Sequence, residues 1–197
     1  RVVVTGLGAI TPIGNDVEST WNNALNGVSG AGPITHFDAS MFKTQFACEV
    51  KNFNAADHFD RKKLRQLDLY AQYALVAAKQ AVEDANLEEE SINKDRVGVI
   101  VAAGIGGLRT FEEEIGYYAI HGAEQGPKYN PFFIPKMIAD IASGHISMQY
   151  GFHGPNYGVV SACASSNNAI IDAFNLIRLG KANVMVTGGA EAAITAG

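Results

Sequence analysis

An α/β fold, with a mixed, mostly parallel sheet carrying helices on both faces, follows from three features of the sequence. Arg96 to Ala103 contains V-G-V-I-V-A-A, apolar throughout, as a strand covered on both faces must be. Short strand-like runs alternate along the chain with segments of helical periodicity, the βα alternation that favours parallel pairing. Many of the 21 glycines stand at the ends of the strand-like runs, where the chain must turn sharply.

With 197 residues, 47% hydrophobic and 18% charged, the chain can form one sizeable α/β core or two small domains. A net charge of -5 lacks the basic surplus of a general nucleic-acid binder. Two cysteines far apart make no disulfide framework and fit a reducing, cytoplasmic compartment. No run approaches a membrane span, and R-V-V-V-T-G-L-G is too short and glycine-rich for a signal core. The chain stops at Thr195-Ala196-Gly197 without a polar tail or closing helix, which reads as a cut in mid-domain.

Taken in order, Val2 to Thr5 reads as a short buried strand. Gly6-Leu7-Gly8 after it invites a dinucleotide reading, but Thr11 occupies the third glycine position and Pro12 follows. Asp16 suits an N-cap for a helix to about Leu25, with Gly27 just past its end. Between Gly30 and Asp57 the pattern is irregular, with one strand-like piece from Gln45 to Val50. Cys48 in that piece, beside Phe46 and Ala47, reads as core packing.

Asp60 opens a long helix expected to run to about Asn86, with Leu64, Leu67, Ala71, Ala74, Leu75, Ala78 and Val82 at helical spacing. Its first turns carry Arg61, Lys62, Lys63 and Arg65, and cations there oppose the helix dipole. They read either as a solvated face or as a docking patch for an acidic partner. Gly104-Ile105-Gly106-Gly107 turns the clearest strand into a helix from near Leu108, and without a Lys-Ser/Thr pair it is no phosphate loop. Gly122 to Pro131 reads as loop, Phe132-Phe133-Ile134-Pro135 as a rigid turn, and Lys136 to Tyr150 as one or two helices. Tyr157 to Ser161 and Asn183 to Thr187 are the last expected strands.

The richest stretch is V-V-S-A-C-A-S-S-N-N-A, residues 159–169. Small residues surround Cys163, as a strand-to-helix turn requires if it is to lift a side chain into a cleft. It is the thiol counterpart of the serine elbow of hydrolases. At a helix start, unpaired amides and the helix dipole favour the thiolate, the nucleophilic form. A buried, inert cysteine is the plainer alternative. The H-E-x-x-H and C-x-x-C spacings are absent and the five histidines are scattered, so no metal site is expected.

These stretches together resemble the N-terminal half of the β-ketoacyl synthases, condensing enzymes of the thiolase superfamily. The matching pieces are R-V-V-V-T-G-L-G, G-N-D-V-E-S-T-W, A-A-G-I-G-G-L, P-F-F-I-P, G-P-N-Y-G-V-V-S-A-C-A-S-S and V-M-V-T-G-G-A-E. Ser161 stands where the family usually has Thr, and Asn167-Asn168 replace its common Gly-x-x.

The resemblance implies one half of a five-layered αβαβα fold, with residues 1–197 as the N-terminal domain of an incomplete chain. It implies Cys163 as the acyl-accepting nucleophile, its own amide being one oxyanion donor. It implies Leu108 and Phe133 as residues of the acyl pocket, Phe133 reaching in from the other subunit of a homodimer. Lys62, Lys63, Arg65 and Lys128 correspond to the surface that meets an acyl carrier protein. The implied substrates are acyl and malonyl thioesters. No cofactor is implied beyond the phosphopantetheine on the carrier.

The family's catalytic histidines, lysine and second oxyanion donor lie in its C-terminal half. None of His36, His58, His121, His145 or His153 sits in a matching motif. A thiolase or polyketide ketosynthase half, a scaffold without catalysis, and an α/β-hydrolase with a cysteine elbow are the competing readings. Retention of Cys163 argues against the scaffold, and the lack of triad spacing against the hydrolase.

Overall fold

The computed structural model describes residues 1–87 and 91–197. Its centre is a parallel pair of strands, β3 (Val97–Ala102) and β4 (Val184–Gly189), with Val97 opposite Val184 and Ala102 opposite Gly189. Every residue of β3 is buried. Val97, Val99 and Val101 pack with α3 (Leu69–Asp84) and α6 (Ile141–Tyr150), while Ile100 and Ala102 pack with Ala169 of α7 (Ser165–Arg178). Alternation of side chains along a strand thus places helices on both faces, as the unbroken apolar run requires. A two-residue antiparallel ribbon, β1 (Gly32–Pro33) with β2 (Phe46–Ala47), lies apart from this pair.

Local signals hold where capping chemistry is explicit. Helix α1 (Val17–Leu25) begins at Asp16, whose carboxylate accepts the Ser19 N–H at 2.6 Å, and Gly27 past its end has φ +67°. Helix α4 (Leu108–Gln125) starts at the expected residue, but its C-terminal turns occupy 122–125, which the polar composition marks as loop. A short α5 (Phe133–Met137) follows.

Four further expectations are corrected. The long helix from Asp60 is two helices, α2 (Arg61–Leu64) and α3. Asp68 breaks it by accepting the Tyr70 N–H at 3.2 Å, a new N-cap inside an apolar periodicity that continues across the break. Val2 to Thr5 pairs with no strand among the described residues, and Val3 and Val4 are 56% and 78% exposed. The segment after it lies on α3 instead: Leu7 N–H donates to Asp84, Ala9 N–H to Gln80, and side chains on Gly6 or Gly8 would overlap the α3 backbone.

Cys48 is exposed, because a ribbon two residues long builds no second layer over it. Tyr157 to Ser161 forms no strand among the described residues, and the single bridge to β3 pairs Val99 with Asn156, one residue before it. Buried Ser143 of α6 splices the ladder there. Its Oγ accepts the Val101 N–H at 2.8 Å and lies 3.1 Å from the Tyr157 carbonyl oxygen, occupying the place of a strand-to-strand bond.

Among the described residues no helix is long and apolar enough to cross a membrane.

Candidate active site

Cys163 stands in a 3-10 turn, Ala162–Ala164, that runs directly into α7, and its side chain is exposed. Ala162 has φ +51°, a left-handed conformation costing an L-residue about 1–2 kcal/mol. Alanine carries the least bulk a chiral residue can bring there. The turn is held from beneath by Ser165, 3% exposed. Its Oγ accepts the Ser161 N–H at 2.8 Å and donates to the Ala162 carbonyl at 2.7 Å. Asn168 Nδ2 donates to Ser161 Oγ at 2.6 Å, so a serine at 161 and an asparagine at 168 operate as a pair. The small residues of the motif also serve packing, since a side chain on Gly189 of β4 would overlap Ser166.

The turn borders the loop after β3. A Cβ on Gly104 would lie 3.8 Å from the Ala162 carbonyl oxygen and 2.7 Å from Glu191 Oε2. That oxygen accepts the N–H groups of both Gly104, at 2.6 Å, and Ile105, at 2.9 Å. Gly106, at φ +87°, and Gly107 pass so close to the Lys136–Met137 backbone that side chains there would collide, and Gly107 N–H donates to Met137 O at 3.0 Å. The loop ends at Leu108, half-buried at the first position of α4. Phe133, half-buried at the start of α5, stacks on Tyr129 at 5.6 Å and meets Phe111 of α4 at 6.3 Å. Cys163 and the loop leading to Leu108 are thus neighbours, and Phe133 joins through the packing of α5 on α4.

The basic residues divide. Lys62 and Arg65 are exposed, and Lys128 is exposed beyond the end of α4, with Nζ 3.3 Å from Gln125 Oε1. Lys63 turns inward, its Nζ 3.3 Å from Nδ1 of His145 on α6. Burial holds the Lys63 ammonium below the usual lysine value, against the opposing charge of Asp60. Burial first, then the Lys63 charge, push His145 down to about 4, so its imidazole is neutral at pH 7. Both line a cavity of about 550 Å³ between α2, α3 and α6.

Sequence reading singled out neither His145, nor Glu191 beyond its motif, nor Asp68. An acidic residue two positions after the glycine pair that closes β4 is the one available sign. No group of three or more His, Cys, Asp or Glu side chains that could hold a metal ion occurs among the described residues.

Residues 1–197 match the model of the beta-ketoacyl synthase N-terminal domain. The chain is similar to 3-oxoacyl-[acyl-carrier-protein] synthase 2 of Staphylococcus aureus, with 47% identity over 99% of this chain and 46% of that protein. The same-named protein of Synechocystis sp. is 46% identical over 99% of this chain and 46% of its own length. The chain therefore spans about half the length of the curated relatives it matches.

In structure it resembles the ishigamide ketosynthase/chain length factor, with TM-score 0.87 and 29% identity, covering 96% of this chain and 47% of that one. It also resembles AntDE:AntF, a type II PKS acyl-carrier protein in complex with its ketosynthase. That match has TM-score 0.83 and 25% identity, and covers 100% of this chain and 52% of the other.

Proposed function

The chain belongs to the β-ketoacyl synthase family, and from that premise we propose that it is the N-terminal half of an acyltransferase whose nucleophile is Cys163. The observation that supports this most directly is the exposed thiol on a strained turn at the start of a 14-residue helix. In the first step Cys163 Sγ attacks the acyl thioester on a carrier phosphopantetheine, the carrier thiol leaves, and the acyl group is held on the protein. In the second, malonyl-carrier loses carbon dioxide and its carbanion attacks the acyl-Cys163 carbonyl. The Cys163 thiolate leaves and a chain two carbons longer remains on the carrier.

The Cys163 amide is one oxyanion donor in this reading, and losing one such donor costs roughly 3 kcal/mol of transition-state stabilisation. Leu108 and Phe133 line the acyl pocket, Phe133 from the second subunit of a homodimer. Lys62 and Arg65, with Lys128, form the acyl carrier protein's landing surface, while Lys63, expected among them, turns toward His145 instead. The carrier brings its own phosphopantetheine. Two free thiols, Cys48 and Cys163, suit a cytoplasmic setting.

Residues 1–197 act in this reading with a C-terminal half that supplies the decarboxylation machinery. Apolar side chains support a covering partner layer: Ile170, Ile171 and Phe174 of α7 are 50%, 54% and 45% exposed. Fatty acid elongation is favoured over polyketide synthesis by the higher identity, 47%, to the 3-oxoacyl-[acyl-carrier-protein] synthases than to the ketosynthase structures, 25–29%.

Mass spectrometry of the complete enzyme after incubation with acyl-carrier thioester tests the assignment. A single acyl adduct at Cys163 is expected, retained in Cys48→Ser and lost in Cys163→Ala. Because both thiols are exposed, an adduct at Cys48 alone would overturn it.

A further inference from the structure

We propose that Glu191 is a positioning residue that fixes the Gly104–Leu108 loop against the Cys163 turn and thereby sets which acyl chains the site accepts. The inference rests on the acyl-transfer reading above, in which Leu108 lines the acyl pocket. Glu191 follows β4 by two residues, and its Oε2 receives two successive backbone N–H groups, from Gly104 at 2.6 Å and Ile105 at 2.9 Å. Consecutive amides converging on one carboxylate oxygen form a charge-assisted clamp, stronger and more directional than a neutral hydrogen bond.

The clamp requires Gly104, since a Cβ there would come within 2.7 Å of the same oxygen. It brings that residue alongside the Ala162 carbonyl, the peptide joined directly to Cys163. At its other end the loop is tied by Gly107 N–H to Met137 O of α5, the helix that begins with Phe133. Leu108 N–H then bonds to Gly106 O at 2.9 Å, passing the loop position to the first residue of α4. A loop tied at two points cannot slide; released at Glu191, its Gly104–Gly106 limb pivots about the Met137 tie and shifts the Gly106 carbonyl that holds the Leu108 N–H, ahead of the Thr110 anchor of α4. The Glu191 bonds lie on the exposed side of the loop, so their loss changes loop position more than global stability.

The experiment compares kcat/KM for short and long acyl-carrier substrates in the complete enzyme and its Glu191→Ala and Glu191→Gln variants. The long-to-short ratio is expected to change by about fivefold or more in Glu191→Ala, as displaced pocket walls do. Glu191→Gln, which keeps an acceptor oxygen but loses the charge, is expected to fall between. Should Glu191→Ala fail to fold, a ratio shift of about twofold in Glu191→Gln decides. An unchanged ratio, with every chain length slowed by one common factor, overturns the proposal while leaving Cys163 as nucleophile. Absence of acylation in the parent enzyme overturns the acyl-transfer reading, and the positioning role with it.

Discussion

Asp68 and Thr110 meet in the protein interior, each 3% exposed, although 42 residues separate them. Asp68 Oδ2 accepts both the hydroxyl of Thr110, at 2.5 Å, and its N–H, at 3.2 Å, while Oδ1 accepts the Tyr70 N–H and caps α3. One carboxylate thus starts α3 and bolts the first turn of α4 to it. Thr110→Val, nearly the same shape without the hydroxyl, is expected to cost about 1–3 kcal/mol, because a buried carboxylate oxygen loses a donor. Thr110→Ser should retain most of that stability. Urea denaturation of the complete enzyme measures both, and equal stability of parent and Thr110→Val would show that the hydroxyl contributes nothing.

His145 gives the stability a pH dependence at an unusually mild pH. Its folded value, about 4, lies below the ordinary 6.5, so the folded state favours the neutral ring. The associated stability is full above about 6.5 and is lost as pH falls toward 4, amounting to about 2–3 kcal/mol across that window. His145→Gln should flatten the melting temperature profile between pH 6.5 and 4. A profile identical to the parent's would assign the acid loss to carboxylates instead.

Ala162 should discriminate sharply among replacements. At φ +51° a β-branched side chain is strongly disfavoured, and Ala162→Val is expected to be about 1–3 kcal/mol less stable than Ala162→Gly. The same pair should differ in iodoacetamide labelling of Cys163, because the turn that presents the thiol is the strained element. Equal melting temperatures for the two variants would mean that the left-handed turn relaxes freely.

Reversing Lys62 and Arg65 together to Glu should raise KM for acyl-carrier substrates and weaken its salt dependence, leaving acyl-coenzyme A substrates little changed. Lys63 is left out of the pair because its ammonium faces His145. Equal losses with both substrate types would make the basic turn structural.

Much of this architecture is set within a few residues of chain. The Asp16 cap, the apolar run of β3, the start of α4 after Gly104-Ile105-Gly106-Gly107 and the small-residue turn at Cys163 all answer to neighbours a few positions away. Capping, strand burial and tight turns are short-range effects, so composition and spacing display them. The family likeness reached further for the same reason, since its motifs are those turns.

Tertiary structure decided what depends on distant partners. Asp68 breaks an otherwise continuous helical periodicity while clamping Thr110, 42 residues on. Ser143 replaces a strand ladder across another 42 residues, turning an expected strand into an extended segment. Lys63 finds His145 over 82 residues, and Glu191 finds Gly104 over 87. A lone acidic, hydroxyl or basic side chain has the same local sequence signature whether it faces water or a buried amide. Only the fold brings the partner to it, and where the pair is buried, as at Asp68 and Ser143, the polar group must bond, which fixes where the helices stand.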